Sequence, residues 1–133
     1  MSSIIDFPSG YAGDIKVKTA WMWMQSGEAV MVDVRSEAER TWVGLVPDSV
    51  ALPLLLWPGA ALNPDFETGL REIEKQGRKL LMLCRSGVRS IAAAKRATEL
   101  GFEAYNILEG FEGELDANGH RGNIGGWRHQ GFL

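Results

Sequence analysis

Two short apolar runs stand out in the hydrophobic pattern. Ala29-Val30-Met31-Val32-Asp33-Val34 is compact and valine-rich, and predicts a buried strand. Lys79 to Leu83 predicts a second strand, which delivers Cys84 at its end. Val50-Ala51-Leu52 and Phe102 to Leu108 supply two more, the first entered through the turn Val46-Pro47-Asp48-Ser49. Helical patterns lie between them. Thr19 suits the N-cap of a helix over Ala20 to Gln25, ended by Ser26-Gly27, and Ser36 opens a charged segment that suits a short helix up to Gly44. Asn63 as N-cap and Pro64 as first residue predict a helix to about Lys75, with Phe66, Leu70 and Ile73 on one face. Ser90 to Leu100 predicts another, stopped by Gly101. Strands alternating with helices make an α/β domain with a mainly parallel sheet.

Three prolines, Pro53, Pro58 and Pro64, mark the stretch between them as irregular. The glycine-rich tail from Glu109 to Leu133 predicts loops and turns, with a short helix near Trp127. Its Phe111–Gly125 segment reads as a surface loop, with covering the mouth of a site or docking a partner as the alternatives. The boundaries expected are an N-terminal extension over residues 1–10 and one domain over 11–133.

Composition narrows the function classes. Hydrophobic residues at 45% and charged residues at 23% of 133 are ordinary globular values. A net charge of −3 gives no reason to expect a nucleic-acid or membrane-surface partner. No basic leader precedes an apolar stretch at the N-terminus, and no apolar run is long enough to span a bilayer. With a single cysteine, an intrachain disulfide and a multi-cysteine zinc site are both ruled out. A reducing, cytoplasmic setting is the expectation, with neither metal nor other cofactor. The oligomeric state is not legible.

The chemistry gathers in Cys84-Arg85-Ser86-Gly87-Val88-Arg89-Ser90. A strand, a tight loop and a helix N-terminus would set the sulfur at a cradle of backbone N–H groups that favours thiolate. Gly87 lets the loop curl so that its amides converge. Arg89 puts a cation at the positive end of a helix, a conflict that an anion at that place would resolve. Three chemistries use such a cysteine. Phosphatases need Cys-x5-Arg, but the position that should hold arginine is Ser90 and Arg89 falls one place early. Arsenate or disulfide reduction normally recruits a second cysteine, and the chain has none. Sulfur transfer needs one thiolate and a cradle for a persulfide, and lacks nothing here.

The loop resembles the six-residue active loop of the rhodanese sulfurtransferases. Val32-Asp33-Val34-Arg35-Ser36 with Glu39 and Gly44-Leu45-Val46-Pro47 is similar to that family's "DVR…E…G…P" segment. Tyr105 to Gly110 and Gly126-Trp127 resemble its closing segments, so the likeness runs from about Tyr11 onwards. It implies a three-layer rhodanese-like domain, with a central parallel sheet of about five strands flanked by helices. It further implies a persulfide on Cys84, with Arg85, Ser86, Gly87, Val88 and Arg89 holding the anionic sulfur. The donor implied is thiosulfate, and the acceptor cyanide, a thiol or a protein. A non-catalytic persulfide carrier or protein-interaction module would share the same fold and loop. The chain departs from the family pattern at Leu45, where histidine is usual, and at Asp48, where glycine is common.

Other residues read as support. Asp33 and Arg35, just past a strand, suit an ion pair or loop anchor, and Ser90 a structural neighbour of the loop. Trp57 and Phe111 are candidates for a pocket wall. Trp21 and Trp23 alternate across the first helix, so one of them is expected in the core. Lys95 and Arg96 suit a solvated helix face, and Glu109, Glu112, Glu114 and Asp116 a solvated acidic run. His120 and His129 are too isolated for a metal site or a general base.

Overall fold

The computed structural model describes residues 10–36, 39–41, 46–56, 61–74, 76–84 and 89–108. Seven strands run in chain order: β1 (Gly13–Ile15), β2 (Ala29–Asp33), β3 (Val50–Ala51), β4 (Leu55–Leu56), β5 (Ala61–Leu62), β6 (Lys79–Leu83) and β7 (Ala104–Ile107). Helices α1 (Val17–Gln25), α2 (Phe66–Ile73) and α3 (Arg89–Glu99) lie between them. Five strands form one sheet in the order β1-β7-β6-β2-β3, and every pairing in it is parallel. Leu81 lies opposite Met31 on one side and Tyr105 on the other, so the strand that ends at Cys84 is the innermost. A parallel sheet needs cover on both faces, and two apolar clusters supply it. One joins Val32, Leu80, Met82 and Cys84 to Leu70 of α2 and Ala93, Ala94 and Ala97 of α3. The other joins Met31, Leu81, Leu83 and Ile107 to Val17 and Ala20 of α1. Alternation along β6 thus aims the cysteine towards the α3 side.

Several details, besides the added strand β1, differ from the expected pattern. The first helix begins at Val17, not beyond Thr19, and its N-cap Lys16 makes no side-chain cap bond. Val17 and Ala20 are buried against the sheet from the helix's first turn. Asn63 does not cap α2 but makes a turn, its Oδ1 accepting from the Asp65 N–H at 3.0 Å while its Nδ2 donates to the Pro53 carbonyl at 3.0 Å. The helix therefore starts at Phe66. Within the stretch expected to be irregular, β4 and β5 pair as an antiparallel ladder. Trp21 and Trp23 share the second cluster's edge, both partly buried, where one core tryptophan was expected. Edge-on contact with Tyr105 at 5.0 Å holds Trp23 there.

Among the residues with positive φ, Gly101 and Asp48 reach it for different reasons. Gly101 (φ +98) ends α3, where the Phe102 N–H reaches back to the Ala97 carbonyl at 3.0 Å. Asp48 (φ +69), at the position where glycine is common, keeps the left-handed turn, which Asp tolerates better than most residues.

Candidate active site

The carboxyl ends of parallel strands are where an open α/β sheet presents a site. Here they carry Asp33 on β2, Cys84 just past β6 and Ile107 on β7. Cys84 is buried, with its sulfur 3.3 Å from the hydroxyl of Ser90 in the first turn of α3. Ser90 donates in turn to Asn106 Oδ1 at 2.5 Å, and both side chains are buried.

Beside the cysteine stands an ordered set of charges. Ser36 and Glu39 form a reciprocal capping box: the Glu39 N–H donates to Ser36 Oγ at 3.2 Å, and the Ser36 N–H donates to Glu39 Oε1 at 3.1 Å. This turns the Glu39 carboxylate towards α3, where Arg89 grips it with Nη1 to Oε1 at 2.6 Å and Nη2 to Oε2 at 2.7 Å. The conflict of a cation at a helix N-terminus is thereby resolved within the chain. Burial works against the Glu39 charge, but the Arg89 hydrogen bonds, with those of Ser36, prevail and hold its pKa at about 2. Arg89 is pushed above its ordinary value, first by the Glu39 hydrogen bonds against the opposing effect of burial. The charge of Glu39, and after it the neighbouring Cys84 and Asp33, add to that rise.

Asp33 anchors the same rim. Its Oδ1 accepts from Arg35 Nε at 3.0 Å and from the Arg35 N–H at 3.1 Å. Oδ2 accepts from Arg35 Nη2 at 2.8 Å and from Arg40 Nη1 at 2.7 Å. The Arg35 and Asp33 side chains are wholly buried, and that of Arg40 is partly exposed. Arg40 continues to Ser49 Oγ at 3.3 Å, and Ser49 donates to the Val46 carbonyl at 2.6 Å. One carboxylate thus fastens the end of β2, the helical residues 39–41 and the turn before β3.

The structure therefore gathers Cys84, Arg89, Ser90, Asp33 and Arg35 at one end of the sheet. Arg85, Ser86, Gly87, Val88, Trp57 and Phe111 lie outside the described residues. Asn106, Asp14 and Arg40 were missed in the sequence. The signal for Asn106 was its place inside a strand, which asparagine disfavours; the charged neighbours of Arg40 gave none. At the opposite end of the sheet, a cavity of about 290 Å³ is lined by Trp21, Met24, Ala29, Val46 and Arg78. It opens at the amino ends of β2 and β6, away from Cys84.

The sequence model of the Rhodanese-like domain matches residues 16–115. The chain belongs to the rhodanese-like domain family. It is 45% identical to Rv0390 from M. tuberculosis, whose crystal structure superposes with a TM-score of 0.80 over 91% of this chain and 95% of that one. An uncharacterized Rickettsia rickettsii protein is 36% identical over 110 residues, which cover 80% of this chain and 89% of the relative. The fold recurs in a rhodanese-like domain protein from Staphylococcus aureus, at 19% identity and a TM-score of 0.58, over 74% of this chain and 86% of that one. Among the described residues, no helix is long and apolar enough to cross a membrane.

Proposed function

We propose that the protein is a sulfurtransferase that carries sulfane sulfur as a persulfide on Cys84, with thiosulfate or a related anion as donor. The observation that carries this reading is the placement of the chain's one cysteine at the end of the innermost strand, against the first turn of α3. The Cys84 thiolate attacks the outer sulfur of thiosulfate and forms a new S–S bond. The old S–S bond breaks, and its electron pair leaves with sulfite. An acceptor nucleophile (cyanide, a thiol or a protein cysteine) then attacks the terminal sulfur and returns the thiolate to Cys84.

The surrounding charges suit a thiolate. Arg35, Arg40 and Arg89 face Asp33 and Glu39 across this rim, so three arginines stand against two carboxylates and the Cys84 anion. Because Glu39 already holds two of the Arg89 nitrogens, Arg89 contributes field and position, and its fork is not free to clamp the donor. A lone thiol of this kind stays usable in a reducing compartment such as the cytoplasm.

Mass spectrometry after thiosulfate treatment tests the reading, together with sulfite release under turnover. A gain of one sulfur at Cys84 and sulfite release that Cys84→Ser abolishes are expected. Full sulfite release in Cys84→Ser would overturn the reading. Loading of one sulfur without turnover on cyanide or small thiols would mark a persulfide carrier instead.

A further inference from the structure

Behind Cys84 a line of side-chain hydrogen bonds leads out of the core. Ser90 Oγ lies 3.3 Å from the sulfur and donates to Asn106 Oδ1. Asn106 Nδ2 donates to Asp14 Oδ1 at 3.0 Å, and the Tyr11 hydroxyl donates to that same oxygen at 2.8 Å. Ser90 and Asn106 are buried, whereas Asp14 on the edge strand is exposed. Each link fixes the direction of the next. An ionised carboxylate only accepts, so Asn106 must turn its amide nitrogen towards Asp14. Its carbonyl oxygen is left facing Ser90 and also only accepts, so the serine proton is committed to it. What Ser90 presents to Cys84 is then a lone pair.

We propose that Asp14, acting through Asn106, is a positioning residue that holds the Ser90 hydroxyl turned away from Cys84. The serine thereby accepts from the thiol and withholds its proton from the thiolate. This rests on the sulfurtransferase reading only in taking Cys84 as the reacting atom. Loss of Asp14 leaves the Asn106 amide free to turn over. Its Nδ2 can then donate to Ser90 Oγ, and the hydroxyl proton swings onto the sulfur anion. No covalent step is involved; one amide rotation and one hydroxyl rotation separate the two arrangements.

The test is the rate of Cys84 alkylation by iodoacetamide at neutral pH in the full chain, a reaction that needs no sulfur donor. Asp14→Ala should accelerate it on the order of threefold, the scale of one redirected hydrogen bond. Asp14→Asn removes the same charge but keeps an oxygen beneath the Tyr11 hydroxyl to accept from Asn106, and should stay close to the unmodified rate. In a Ser90→Ala background, Asp14→Ala should change nothing further. An unchanged or slower rate in Asp14→Ala would overturn the proposal. Equal acceleration in Asp14→Ala and Asp14→Asn would assign the effect to charge alone and overturn it equally, as would an acceleration that persists without the Ser90 hydroxyl. If Ser90→Ala does not fold, the alanine–asparagine comparison decides by itself. A protein that passes this test yet releases no sulfite would lose the sulfurtransferase reading and keep the hydrogen-bond line.

Discussion

Arg89 and Glu39, 50 positions apart in the chain, meet as a two-pronged ion pair at 2.6 and 2.7 Å. The pair ties the first turn of α3, where the cysteine loop ends, to the helical turn that follows β2. Its geometry also settles what the pair does when acid is added.

Glu39 titrates at about 2 in the folded chain against an ordinary 4.5. A depressed carboxylate stabilises the fold fully above its unfolded pKa, and that contribution is lost as pH falls through the folded value. Urea unfolding should therefore show Glu39→Gln weaker than the unmodified protein by about 1–3 kcal/mol near neutrality. The gap should narrow between pH 4.5 and about 2. A gap that stayed constant down to the lower limit would mean that the Arg89 pair is not its source.

Asp33→Asn should be far more damaging than its conservative form suggests. The variant takes the counter-charge from a wholly buried Arg35 guanidinium, a change that costs about 3–5 kcal/mol in comparable cases. Arg40→Gln removes only the outer partner, which reaches solvent, and should cost about 1 kcal/mol. Thermal melts of the two variants side by side would test this ordering. Equal losses would count against the inner pair as the anchor of the rim.

Glu74 and Arg78 predict an asymmetry of another kind. The buried Glu74 carboxylate accepts from the backbone N–H groups of Gln76 and Arg78 as well as from Arg78 Nε. Burial tends to raise its pKa, but these hydrogen bonds, led by the Arg78 N–H, hold it below the usual range. Truncating it in Glu74→Ala leaves two backbone donors without their acceptor and should cost about 1–3 kcal/mol. Arg78→Ala removes a side chain that is 38% exposed, so screening should keep its cost below about 1 kcal/mol. Chemical denaturation resolves a difference of that size.

At Gly69 two familiar effects oppose each other. Alanine in a helix interior is favoured over glycine by about 1 kcal/mol. A Cβ there would lie 2.5 Å from Leu52 Cδ1 and 3.1 Å from Cδ2, however, so the methyl end of this buried leucine must shift. Overpacking of this kind costs about 1–3 kcal/mol, and Gly69→Ala should be destabilising on balance. Adding Leu52→Ala should remove the clash and recover part of the loss, as a double-mutant cycle in urea would reveal. A single variant more stable than the parent would refute the packing argument.

The sheet was legible in the sequence because its inner strands are nearly unbroken apolar runs. Ala29 to Val34 and Lys79 to Leu83 could hardly read otherwise, and together with the helix pattern they led to the parallel α/β class. The three-residue strand β1 and the β4–β5 hairpin were not legible. Two or three residues carry no period, and each of these strands exists because a partner elsewhere in the chain completes its ladder. The site divides in the same way. The residues from Cys84 to Ser90 stand together in the sequence, but Glu39 opposite Arg89 and Asn106 behind Ser90 are products of the fold. Local patterns could say that an anion belonged near Arg89; only the packing of α3 against the segment after β2 supplies it from Glu39.

The place of β6 at the centre of the sheet has a further consequence for how the molecule is made. Its neighbours are β2, fixed some 50 positions earlier by the register Ala29↔Lys79, and β7, which follows only after α3. Asn106, behind Ser90, is held by Asp14 from 92 positions away. A growing chain that has just released Cys84 from the ribosome therefore holds a cysteine but not yet a site. The surroundings of the sulfur close only when β7 slots between β6 and β1, among the last long-range pairings the described fold can make.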